Sequence, residues 1–116
     1  MRRQPIVHST VASVAKKLKK FDLYPAYEVY VMPARKLIKT FASDEEVEYD
    51  FTEEGYIAKT RDRDEEFPQI LIASDKHDGN VDEMVISVLH ELEHVRGERS
   101  EAKAEDKAQE RFYKGV

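Results

Sequence analysis

The chain has 116 residues, 37% of them charged, with 19 Lys and Arg against 24 Asp and Glu and a formal net charge of −5. That length fits one domain, 1–116, with a single modest core, and the acidic balance argues against nucleic acid as the main partner. Cysteine is absent, which excludes disulfides and thiolate metal ligands, so any metal must be held by His and carboxylate.

Tryptophan is also missing and Asn and Gln are scarce, a bias met in thermophile proteins that favour ion pairs over thermolabile side chains. The opening MRRQPIVHST reaches its lysines before any apolar run long enough for a signal peptide or membrane span, so a cytoplasmic protein without membrane contact is expected. Ser9 or Thr10 is expected to cap a first helix, with Val11, Val14, Ala15, Leu18 and Phe21 inward and Lys16, Lys17, Lys19 and Lys20 on a solvated outer face. Tyr27 to Met32 alternates and is rich in aromatic and β-branched residues, which predicts a strand ending at Pro33. Pro33 then opens a short helix bearing Leu37, Ile38 and Phe41. A hairpin is predicted from Glu46 to Phe51 and Tyr56 to Arg61, turning through Thr52-Glu53-Glu54-Gly55. Another strand runs from Gln69 to Ser74, followed by a polar loop to Asn80 in which His77 is expected to be solvated.

From Val81 onward the apolar residues Val81, Met84, Val85, Val88, Leu89, Leu92 and Val95 recur at helical spacing, predicting a helix over about 81–96. Its other side carries His90-Glu91-Leu92-Glu93-His94, which fits the H-E-x-x-H zinc-hydrolase motif. Two imidazoles four residues apart share a helix face and can converge on one Zn²⁺ at roughly 2.0–2.1 Å each. Glu91, beside them, is placed to take a proton from a water that the metal acidifies.

A third ligand is needed. Gly97 can end the helix with φ > 0, and Ser100 can cap a second helix, about 100–113, whose first turn holds Glu101. If the two helices run antiparallel, Glu101 falls near the level of His94 and Glu105 near that of His90. Glu101 is then the expected ligand, and Glu105 either hydrogen-bonds a ligating imidazole or replaces Glu101 if the turn is longer. The bland alternative is an exposed helix in which Glu101 merely pairs with Lys103 or an Arg.

HELEH followed by E-x-x-A-E, at Glu101 to Glu105, resembles the gluzincin pattern, and in size and layout the chain is similar to the minimal-scaffold archaeal minigluzincins. His94-x-x-Gly97-x-x-Ser100 also resembles the elongated metzincin motif, with Ser100 where that motif places its third ligand. The gluzincin resemblance implies a zinc peptidase acting on a peptide or protein substrate and made latent by its own tail, so a plug is expected after Phe112, at Tyr113 and Lys114. It also implies that the strand before the active-site helix rims the cleft, which makes Gln69, Ile70, Leu71, Ile72, Ala73 and Ser74 the expected substrate edge.

The predicted order of helix, strand, helix, three strands and two helices gives an α+β, minimal zincin-like domain, with a sheet of about four strands backed by helices. Two rival functions remain in view: a non-catalytic regulatory protein on a zincin scaffold, and a metal-free helical interaction module.

Overall fold

The computed structural model describes residues 4–41, 55–59 and 68–115. Four strands, β1 (Ile6–Ser9), β2 (Glu28–Met32), β3 (Gly55–Lys59) and β4 (Pro68–Ala73), form one sheet in the order β1-β2-β4-β3. The first two and β4 run parallel, and β3 lies antiparallel on the outside of β4. Helices α1 (Ala12–Leu18) and α2 (Ala34–Thr40) follow β1 and β2. After a 3₁₀ turn at Ser74–Lys76 come α3 (Val81–Val95) and α4 (Glu101–Lys114). The architecture is mixed α and β, and no described helix is long and apolar enough to cross a membrane.

Alternation along the strands sorts the core into two layers. Val29 and Val31 of β2 and Ile70 and Ile72 of β4 face α1 and α3. Leu71, Ala73 and Met32 face the other way, onto Leu37 of α2. Ile70, Leu71, Ile72 and Ala73 are all fully buried, as expected of a parallel strand covered on both faces. Glu28 ties three strands together at one end of the sheet. Its carboxylate accepts from the Tyr30 hydroxyl at 2.7 Å, from Gln69 Nε2 of β4 at 2.8 Å and from His8 Nε2 of β1 at 2.9 Å.

The expected inward stripe of α3 is the one that packs. Met84, Val85, Val88, Leu89 and Leu92 are buried, with Val81 and Val95 against the same core. Asn80 caps the helix by accepting from the Glu83 amide at 3.1 Å, and Asp82 and Glu83 lie in its first turn, favourably placed for the helix dipole. On α4, Ala104, Ala108 and Phe112 are buried, and Phe112 stacks on Phe21 at a centroid distance of 6.4 Å.

Several sequence expectations give way here. Ile6–Ser9 forms a strand by pairing with β2, so the cap position of α1 falls to Val11, and Ser9 Oγ instead accepts from the Val11 amide at 3.0 Å. Gly55 belongs to β3 rather than to a turn, and the partner of β3 is β4, with Gly55 opposite Ile72 and Lys59 opposite Pro68. The expected strand Glu46 to Phe51 lies outside the described residues.

The proposed substrate edge is corrected as well. Gln69, Ile70, Leu71, Ile72 and Ala73 have β2 on one side and β3 on the other, and Ser74 is buried in the 3₁₀ turn, so no edge amides are free there for an incoming strand.

Candidate metal centre

The two faces of α3 set the site. Its apolar face is fixed on the sheet, which leaves His90, Glu91 and His94 turned toward α4. His77, expected in solvent, is buried and braces this arrangement: its Nδ1 donates to the Ala73 carbonyl at the end of β4, and its Nε2 accepts from Ser87 Oγ on α3, both at 2.8 Å. An imidazole satisfied at both nitrogens thus links the end of β4 to the helix, one turn before His90.

Gly97, at φ +109°, turns the chain after α3. Ser100 Oγ accepts from the Lys103 amide at 3.2 Å and starts α4. The two helices then pack together, with Glu101 beside His94 and Glu105 beside His90. His90, His94 and Glu101 each bring one ligand atom to a common point, all within 4.8 Å of one another. The two Nε2 atoms are 3.2 Å apart; Glu101 Oε1 is 2.6 Å from His94 Nε2, and Oε2 is 3.1 Å from His90 Nε2. Two ligands roughly 2.0–2.1 Å from a tetrahedral Zn²⁺ would lie about 3.3 Å apart, a spacing that the imidazole pair matches, whereas Glu101 Oε1 stands at ion-pair distance from His94 Nε2 and would move outward to bind the same ion.

The far sides of the rings decide what the near sides offer. His90 Nδ1 donates to Glu105 Oε1 at 2.9 Å, and His94 Nδ1 donates to the Glu98 backbone carbonyl at 2.6 Å. A carboxylate and a carbonyl only accept, so in a neutral ring each Nδ1 carries the proton and each Nε2 presents a lone pair. In that tautomer two lone pairs and a carboxylate converge on one point, a set of acceptors that either a cation or an added proton would satisfy.

Without a metal, a proton on an imidazole meets that demand in part. Burial opposes charge on His90, but the Glu105 hydrogen bond, the charge of Glu91 and the contacts with Glu101 outweigh it, so its pKa lies above the ordinary value. Burial raises the pKa of the Glu91 carboxyl. His90 and His94 oppose that rise and Glu101 adds to it. The outcome is a carboxyl with heightened proton affinity beside the site, as a general base requires.

Comparison with protein-family models, curated proteins and solved structures finds no match to this chain. Its chemistry must be read from its own residues.

Those residues divide clearly. His90, His94 and Glu101 meet at one point, while Glu105 stands behind His90, so the short turn makes Glu101 rather than Glu105 the carboxylate facing both imidazoles. Glu101 is well exposed rather than inward-facing, its side chain 79% accessible, which leaves the cluster open to solvent on one side. Gln69–Ser74 plays no part in it. The described residues do not bring the expected tail plug to the cluster. Tyr113 is twelve residues beyond Glu101 on the same straight element, about 18 Å along the axis, and Gly115 packs by Phe21 at that far end. Tyr113 itself is 68% exposed, so the described tail does not cover the cluster. Sequence reasoning missed the Glu98 carbonyl, because a backbone acceptor leaves no mark in residue type. It missed His77 because nothing in SDKHDGN distinguishes a brace from a loop residue.

Proposed function

We propose that the chain is a minimal, gluzincin-like zincin that hydrolyses peptide bonds. The observation that carries this reading is the convergence of two imidazole lone pairs and one carboxylate, with both Nδ1 protons already committed elsewhere. His90, His94 and Glu101 would hold Zn²⁺, whose fit is supported by the 3.2 Å spacing of the Nε2 atoms. When bound, zinc supplies Lewis acidity, polarising a carbonyl and lowering the pKa of a water.

The other steps belong to the chain. Glu91 takes the proton of the attacking water and returns it to the departing amine, a double use helped by its raised pKa. Glu105 keeps the His90 ring turned and, in the neutral ring, holds the proton on Nδ1 so that Nε2 faces the site. With β4 enclosed, the strand that carries an extended substrate is β3. It packs beside α3 and, among the described residues, has a strand neighbour only on its β4 side.

Glu91→Gln is the direct test. It should retain stoichiometric zinc and lose turnover by at least about a hundredfold on a broad peptide library, the lower range for a positioned general base. Retained hydrolysis in that variant rejects the mechanism. Zinc binding by the native chain with no cleavage of any peptide would favour a regulatory protein on the same scaffold.

A further inference from the structure

The two imidazoles are held differently. His90 leans on a side chain of the rigid helix α4, whereas His94 depends on a carbonyl in the loop 96–100, which joins α3 to α4. Residue 98 is fastened at every polar atom. Its amide donates to the Glu93 carbonyl at 2.9 Å and its carbonyl accepts from His94 Nδ1 at 2.6 Å. On its side chain, Oε1 meets Lys107 Nζ of α4 at 2.8 Å and Oε2 accepts from the Ser100 amide at 3.3 Å.

We infer that the Glu98–Lys107 ion pair is a clasp that aims the Glu98 carbonyl at His94, making Lys107 a positioning residue for metal affinity. An exposed ion pair by itself contributes little. This one closes a loop whose first residue, Arg96, is fixed on the Tyr24 and Asp22 carbonyls, and whose next residue, Gly97, sits at φ +109° with nothing within 4 Å of where a Cβ would be, so residue 98 takes no support from packing at Gly97. Without the pair, Glu98 loses its tether to the body of α4 and keeps only the long Ser100 contact and the Glu93 carbonyl, so the carbonyl behind His94 is held less firmly and the ring gains freedom to rotate off the metal position. The Glu98 carbonyl is neutral, so what it gives His94 is orientation rather than charge. The inference rests on the zinc-site reading above.

Zinc affinity by competition with a chromophoric chelator, and the visible absorption of Co²⁺ substituted for zinc, should be compared for native protein, Lys107→Met and Lys107→Arg. Loss of a group directly bonded to a ligating histidine weakens metal binding about 10–100-fold, and Lys107 acts one bond further out. Lys107→Met should therefore bind about five- to tenfold more weakly and shift the Co²⁺ bands, with the metal-free melting temperature unchanged. Lys107→Arg should restore affinity. The native-to-Met gap should narrow in about 1 M salt, which screens the exposed pair in the native chain. Equal affinity and equal Co²⁺ spectra in native and Lys107→Met protein overturn the clasp, as does a loss that Arg fails to rescue. A native chain that binds no zinc overturns the zinc site together with the clasp, whereas tight native binding indifferent to residue 107 sinks the clasp alone.

Discussion

At the scale of single residues, the centre works by proton bookkeeping on two rings. Each Nδ1 faces an acceptor, so Nε2 is the nitrogen that each ring turns toward Glu101. Glu105 carries most of this for His90, and Glu105→Gln should lower zinc affinity about 10–100-fold, measured by chelator competition. Metal and proton compete for the same lone pairs, which fixes opposite pH dependences. In metal-free protein, His90 has a folded pKa above its unfolded value. Its contribution to stability is therefore fully present below about pH 6.5 and lost as pH rises through the folded value. Zinc needs the neutral ring. The rise in melting temperature on adding zinc should thus grow between about pH 5.5 and 7.5. A zinc-induced rise that is flat or falling over that range contradicts the assignment of His90 as ligand.

At the scale of elements, the helices were legible in the sequence and the sheet was much less so. The α3 stripe, the Asn80–Val81 start, the Gly97 turn and the Ser100 cap all express local rules, since a 3.6-residue period and a capping side chain act within a few residues. From those rules alone, Glu101 and Glu105 fell at the right levels beside His94 and His90. Strand order is a non-local property and was not legible. Ile6–Ser9 is too short to signal itself and becomes a strand only against β2. The central position of β4 does show in its composition: Ile70-Leu71-Ile72-Ala73 is a continuous apolar run, the mark of a strand covered on both faces, while an edge strand would alternate or carry charge.

Two variants test how these elements support one another. Leu89→Ala removes a fully buried side chain of α3 and should cost about 2–5 kcal/mol in denaturant unfolding. A cost below about 1 kcal/mol would mean that α3 does not rest on the sheet as described. Glu28 is a polar counterpart. Burial works against its charge, but hydrogen bonds from Tyr30, Gln69 and His8 outweigh that and hold its pKa below the usual 4.5. The stabilisation is present above pH 4.5 and lost as pH falls through the depressed value. Glu28→Gln should therefore cost about 1–3 kcal/mol at neutral pH and show a shallower loss of stability below pH 4.5 than the native chain. Parallel acid limbs in the two proteins would contradict this role.

At the scale of the whole molecule, a small sheet holds α3 by one face, α4 folds back across the other, and the loop between them supplies the carbonyl behind His94. His77 anchors the middle of α3 at Ser87 and Gly97 redirects the chain beyond its last turn, so the helix that bears His90 and His94 is positioned by contacts outside the motif itself. The site therefore depends on the fold through few contacts, and the central proposal is that His90, His94 and Glu101 hold one metal ion. Elemental mass spectrometry of protein purified without chelator or affinity-tag metal, native beside His94→Ala, tests it most directly. The account predicts one zinc per native chain and loss of that zinc in the variant. Native protein that holds no metal, even after incubation with zinc, would contradict it.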